Sequence, residues 1–295
     1  MSVYVLKMIA IICMLIDHMG AIFINPNQNA SAYLDSRMIG RLAFPIFCFM
    51  IVEGYSHTKN VANYFMRLVC FGLISEIPFD LAFSDRGLTI KRAAFDWGHQ
   101  NVFFTLAIGL LTIHVINWVC SEKFISETTN FWGKAGYAFV VIFVTTVLGY
   151  LADRLGTDYG HRGVWLISML YVFKKNRYWQ AIAGAVTVFI TTFMKVYDVY
   201  IYRICKLETN GFRGLVTNIS RTLLDAGSYY KKTYPNWHLT SRQSSSFMWM
   251  QMFALISFII ILFYNGEPGR KKKYFFYVFY PAHLMVLFVL KLIAG

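Results

Sequence analysis

Asp17 and His18 stand side by side about two-thirds of the way along an apolar run, Val3 to Ile24, and Lys7 lies eleven residues before His18. At 3.6 residues per turn that spacing is close to three turns, so Lys7 and His18 share a helix face about 16 Å apart. An ammonium near one end of that face and an imidazole deeper in would suit a long ligand with a phosphate head. Adjacent helical residues diverge by about 100°, so Asp17 does not orient His18 and needs a partner of its own. Arg37 and Arg41 are spaced i,i+4, as are Glu53 and His57, so each pair projects from one side of its helix. Two guanidinium forks fit phosphate or carboxylate; pairing of Arg41 with Asp17 is the other reading of the same residues. Glu53 with His57 makes either an acid/base couple or an ion pair at a helix end. Arg67 and Glu76, nine residues apart, fall on opposite faces. Ser75-Glu76-Ile77-Pro78 should bend its helix where a cavity is lined. Asn101, His114 and Asp158-Tyr159 follow, and Tyr280-Pro281-Ala282-His283 sets a last imidazole beside a proline. His114, alone in an apolar run, reads as a satisfied core histidine.

These groups need a scaffold, and the composition says which. Of 295 residues, 57% are hydrophobic and 15% charged, against about 25% charged in soluble domains. Nine apolar segments approach the roughly 20 residues that cross a bilayer. They are Val3–Ile24, Met38–Tyr55, Tyr64–Phe83, Val102–Cys120, Tyr137–Leu151, Val164–Phe173, Trp179–Val196, Phe247–Tyr264 and Tyr274–Leu290. Backbone polar groups must be satisfied inside lipid, so such runs form helices. The sixth is short enough to be re-entrant or to extend through its polar lead-in. The expected fold class is all-α, a polytopic integral membrane helix bundle of about nine transmembrane helices. Residues 1–197 hold helices one to seven, 198–246 form a polar insertion or long loop, and 247–295 hold the last two. The opening run reads as a spanning helix, because Asp17 and His18 interrupt it and no signal-peptide flanks accompany it.

The net charge of +13 gathers at segment ends, as in Lys174-Lys175-Asn176-Arg177 and Arg270-Lys271-Lys272-Lys273. Such clusters meet lipid headgroups and argue against a nucleic-acid partner. With the long segment discounted, both clusters and the N-terminus fall on the cytoplasmic side. Five scattered cysteines lack CxxC spacing and read as small buried apolar residues. Charges within lipid cost several kcal/mol even on mild scales, so each needs a partner or a purpose. Nucleophile-elbow, P-loop, HExxH and GxGxxG signatures are absent from the sequence. The pattern supports proton transfer on a charged cosubstrate or, alternatively, a proton-coupled transporter. There is no internal repeat to support an inverted-repeat transporter. A structural subunit of a secretion or conjugation machine is a third reading.

Several motifs resemble the TraX family: Asp17-His18-Met19-Gly20, Arg37 through Arg41-Leu42-Ala43-Phe44-Pro45-Ile46-Phe47, and Glu53-Gly54-Tyr55-Ser56-His57-Thr58. Arg67-Leu68, Ser75-Glu76-Ile77-Pro78-Phe79 and Asn101 through Leu106 continue the resemblance. Asp158-Tyr159-Gly160, Tyr264-Asn265-Gly266 and Phe279 through Leu284 complete it, leaving 198–246 unmatched. Glu76 stands where a glutamine is expected. The resemblance implies a multi-pass protein of a bacterial inner or plasma membrane that moves an acetyl group from acetyl-CoA to an amine or hydroxyl, without a metal. The acceptor would be a protein N-terminus, such as that of a pilin in conjugation, or a glycan. On this reading His18 is the general base. Asp17, paired with an arginine, holds helices in register, and Glu53 and His283 are further proton carriers. Lys7, Arg37, Arg41 and Arg67 are the candidates for the coenzyme phosphates.

Overall fold

A computed structural model describes residues 1–83, 99–120, 131–207, 249–270 and 272–294. The chain forms α1 (Val3–Phe23), α2 (Ala30–Gly40), α3 (Ala43–His57), α4 (Val61–Phe83) and α5 (Val102–Val119). There follow α6 (Phe131–Arg154), α7 (Gly160–Val172), α8 (Arg177–Leu207), a 3-10 turn leading into α9 (Ile256–Leu262), and α10 (Lys273–Ala294). Among the described residues the only extended pairing is one isolated bridge, Gln100 with Thr157. The all-α expectation holds.

The described parts of all nine apolar segments are mainly helical, but the described residues hold five helices long and apolar enough to cross a membrane. These are Val3–Phe23, Ala30–His57, Val102–Val119, Phe131–Arg154 and Tyr274–Ile293. The sixth segment does extend through its lead-in, yet α7 has only 13 residues and rises about 20 Å, short of a hydrocarbon core of about 30 Å. The start of 198–246 continues α8 as far as Leu207 rather than forming a loop; residues 208–246 lie outside the described ones.

The second span is broken, which the expected single helix did not anticipate. Pro45, in the first turn of α3, has no N–H for the Arg41 carbonyl and would clash with it, which favours ending one helix at Gly40 and starting the next at Ala43. The chain turns at Arg41-Leu42, and Ser257 Oγ donates to the Leu42 carbonyl at 3.0 Å. Glycines let α2 lie against α1. A Cβ on Gly20 would sit 1.8 Å from Ser36 Oγ, and one on Gly40 would sit 2.0 Å from Asp17 Oδ1. Close approach through small residues supplies the dispersion contact that holds helices together in lipid.

Leu6, Ile46, Phe49, Leu110, Ile167 and Leu284 are fully buried between α1, α3, α5, α7 and α10. Phe139, Phe143 and Tyr150 cover the outside of α6. Cys13, Cys48 and Cys120 are buried as expected, whereas Cys70 is exposed on the apolar outer face of α4; the side chain of Cys205 lies outside the described ones. Val3 N donates to Glu267 O at 2.8 Å and Asn265 N to Met1 O at 3.0 Å. These bonds gather the N-terminus and the loop before α10 at one end of the bundle. Arg177, at the start of α8, meets Glu53 of α3 at the same end.

Candidate active site

His18 of α1 and His283 of α10 meet through Nδ1 and Nε2 at 2.8 Å. Their ring centroids are 5.0 Å apart and their planes 12° apart, the edge-to-edge arrangement of a straight N–H···N bond. Nδ1 of His283 lies 2.9 Å from the Phe279 carbonyl. A carbonyl only accepts, so this nitrogen carries the proton and Nε2 of His283 is a lone pair. His18 must then donate from Nδ1, and its Nε2 is left as a base. That nitrogen has no partner among the described residues, and His18 lines a cavity. Phe83 and Tyr280 hold the His18 ring by their edges at 5.2 and 6.2 Å.

This inner cavity, about 230 Å³, is bounded by Asp17, His18, Arg37, Arg41, Asp158 and Tyr159. Asp17 pairs with Arg37 at 2.8 Å; Arg41, one helical turn further on, lies within electrostatic reach of Tyr159, Asp17 and Asp158. Tyr159 stacks on Phe44, and its backbone N–H donates to Thr105 Oγ1 at 3.3 Å. The bridge positions the opposite wall: Gln100 N donates to Gly156 O at 2.8 Å and Asp158 N to Gln100 O at 2.9 Å. Gly156 makes the preceding turn with φ 67°, which suits a residue without Cβ. His99, next to Gln100, stands exposed on the same wall. Desolvation raises the Asp158 carboxyl above the ordinary carboxylate value, with His99, Arg41 and Arg37 pulling it back down.

A second cavity of about 520 Å³ lies toward the N-terminal end, bounded in part by Lys7, Glu53, Arg67, Tyr264 and Tyr277. Met14, Phe47, Val102 and Tyr280 line both cavities, so they form the partition between them. Lys7 lies over the Phe276 ring at 5.3 Å and Arg67 over Tyr64 at 5.6 Å. Arg67 Nε is buried with no hydrogen-bond partner among the described residues. Glu53 accepts from Tyr264 at 3.3 Å and stands 3.7 Å from His57 and 3.9 Å from Arg177. His57 is 73% exposed, so the Glu53–His57 pair sits at a helix end.

The structure thus brings Asp17, His18, Arg37 and Arg41 together around the inner cavity, with His283 bonded to His18 but outside the cavity lining. It puts Lys7, Arg67 and Glu53 around the outer one. Lys7 and His18, on one face of α1, mark the two cavities in turn. Glu76 is buried and accepts from Asn101, the N-cap of α5, tying α4 to α5. His114 is not a core residue: it is exposed beside Tyr55, 3.4 Å from its hydroxyl. Sequence reasoning named Asp158 and Tyr159 without a role, read Arg177 only as part of a basic cluster and Tyr280 only as the neighbour of a proline, and passed over His99. Asp158, Tyr159 and His99 lie in or next to loops, where polar residues attract no notice; the glycines at 156 and 160 were the available signal.

The family model described as TraX protein matches residues 2–291. The Probable fimbrial assembly protein FimC, serogroup H1, of Dichelobacter nodosus is 25% identical over 291 residues, covering 97% of this chain and 94% of that protein. No solved structure matches the chain significantly.

Proposed function

As this chain belongs to the TraX family, we propose that it is an acetyltransferase embedded in a bacterial membrane. It moves an acetyl group from acetyl-CoA to an amine, such as the N-terminus of a pilin-like subunit, or to a hydroxyl. The relative named as a fimbrial assembly protein agrees with an acceptor of that kind.

The observation that carries the reading is the His18–His283 pair, with a base nitrogen on His18 at the wall of a cavity beside a larger, cationic one. The acceptor attacks the thioester carbonyl carbon and the carbon–sulfur bond breaks. The acceptor's proton passes to His18 Nε2 and then to the departing thiolate, so the pair ends as it began. A base so placed contributes about 10²–10⁴-fold. His283 stabilises the imidazolium by accepting from its Nδ1–H. Arg41 supplies a cation for charge developing on the carbonyl oxygen. Asp17, held by Arg37, fixes α2 against α1.

The donor fits the outer cavity. Its volume falls within the roughly 300–1,000 Å³ of small-molecule sites, enough for part of the coenzyme, with the remainder outside the N-terminal end. Lys7 and Arg67, whose Nε has no hydrogen-bond partner among the described residues, suit its phosphates. The basic clusters share that end, which the positive-inside rule assigns to the cytoplasm.

The test is the purified protein in lipid nanodiscs with labelled acetyl-CoA and a peptide bearing a free α-amine. Label should enter the peptide with matching thiol release, and His18→Ala should abolish both while the protein stays in the membrane. Full activity in that variant would end the assignment. Solute flux in proteoliposomes without acetyl-CoA consumption would favour a transporter.

A further inference from the structure

Acetylation of an amine has a proton to spare. An amine arrives as an ammonium with three N–H protons, of which the amide keeps one and the departing thiolate takes one. The third must leave, and it must leave first, because an ammonium has no lone pair with which to attack. The His18–His283 pair accounts for a single proton, taken on His18 Nε2 and returned to sulfur. A second acceptor is needed, connected to water.

Resting on the acetyltransferase reading, we infer that Asp158 receives the incoming ammonium and takes its first proton, and that His99 passes this proton out of the inner cavity. The two line the same cavity as His18. They are held together by the backbone bridge in which Asp158 N donates to Gln100 O at 2.9 Å. Among the described residues no side-chain hydrogen bond or ion pair occupies the Asp158 carboxylate, whereas Asp17 is already paired with Arg37 at 2.8 Å. Asp158 is therefore the carboxylate open to a guest. His99 is exposed at the cavity rim, where its ring meets solvent.

The groups around Asp158 suit the task. Arg37 and Arg41 from α2, Asp17 from α1, Tyr280 from α10 and Tyr159 beside it all lie within its electrostatic reach, together with His99. A neighbouring guanidinium weakens an ammonium's hold on its proton, while the carboxylate draws the ammonium in. The inner cavity, at about 230 Å³, is below the size of a whole-ligand site and admits only the end of an acceptor. An amine in it lies between Asp158 and His18. The balance closes: one proton leaves through Asp158 and His99 to water, one goes through His18 to the thiolate, and one remains on the amide.

The experiment compares two acceptors in nanodiscs between pH 6 and pH 8.5. One is a short peptide whose α-amine titrates near 7.7–8.0; the other is O-methylhydroxylamine, which is neutral throughout. The readout is kcat/KM for the peptide divided by kcat/KM for O-methylhydroxylamine, which cancels effects on His18. In the wild type this ratio should fall less than about fivefold from pH 8.5 to pH 6. In Asp158→Asn it should follow the free-amine fraction and fall roughly 50-fold, and Asp158→Glu should restore most of the difference. His99→Gln should slow peptide turnover, with added imidazole restoring it. A ratio in Asp158→Asn that tracks the wild type at every pH would overturn the role of Asp158, even with acetyl transfer intact. Failure of imidazole to rescue His99→Gln would overturn that of His99. No thiol release by wild type with either acceptor would sink the acetyltransferase reading itself, and this inference with it.

Discussion

Replacing His283 with Ala separates a proton relay from a pair of packed rings. The hydrogen bond between His18 Nδ1 and His283 Nε2 is 2.8 Å long. In the resting state it joins two neutral rings. Once His18 takes the acceptor's proton, the same bond has a charged donor. Hydrogen bonds to charged groups contribute about 1.5–3 kcal/mol, against about 1 for neutral ones. The increment appears only as charge develops, so its loss belongs to kcat. That increment is about 0.5–2 kcal/mol, which at 1.36 kcal/mol per tenfold corresponds to roughly 2- to 30-fold. His283→Ala should therefore lower kcat within that range while the KM for acetyl-CoA stays within about twofold, measured by thiol release in nanodiscs. Residues that act as one unit are not additive, so His18→Ala/His283→Ala should be no slower than His18→Ala alone. Losses that multiply in the double variant, or a His283→Ala enzyme as fast as wild type, would refute the relay.

Three other outcomes follow from the packing and the charges. Gly40→Ala places a Cβ 2.3 Å from the Asp17 Cβ, an atom that cannot move without the helix. It should cost about 1–3 kcal/mol, read as a lower Tm in detergent, while Gly136→Ala, with nothing within 4 Å, should leave Tm unchanged or slightly raised. Asp17→Asn strands Arg37, whose side chain is 20% exposed. It should destabilise by about 3–5 kcal/mol, with much of the loss recovered when Arg37 is also made apolar. Lys7→Ala and Arg67→Ala, both at the outer cavity, should each raise the KM for acetyl-CoA roughly tenfold with kcat little changed. That is the signature of binding shared by ground and transition states.

What could be read from residues alone was whatever depended on local period. The apolar run after Ser2 gives α1, with the serine hydroxyl accepting from Val5 N at the cap. The eleven-residue spacing put Lys7 and His18 on the face that now borders both cavities. Partners across the bundle were not legible. His18 and His283 are 265 residues apart in the chain, and nothing in the spacing of either points to the other. The i,i+4 rule made Arg37 and Arg41 equivalent toward Asp17. Only the packing of α2 against α1 selects Arg37 as the ion-pair partner of Asp17, and the break before α3 was hidden because the flanking residues are apolar on both sides. Asp158 was left without a role and His99 escaped for the opposite reason: outside apolar runs an ionisable residue is ordinary, and only the backbone bridge makes theirs a cavity wall.

The central claim is that polar groups kept inside an apolar bundle converge on a site for acetyl transfer. Its most direct measurement is the fate of the acetyl group in purified wild-type protein given [acetyl-¹⁴C]-CoA and an α-amine peptide. Radiolabel should appear on the peptide nitrogen with one thiol released per label transferred, and neither should occur in His18→Ala. Label that stays on the coenzyme with folded, membrane-embedded wild-type protein, or transfer that proceeds equally without His18, would contradict it.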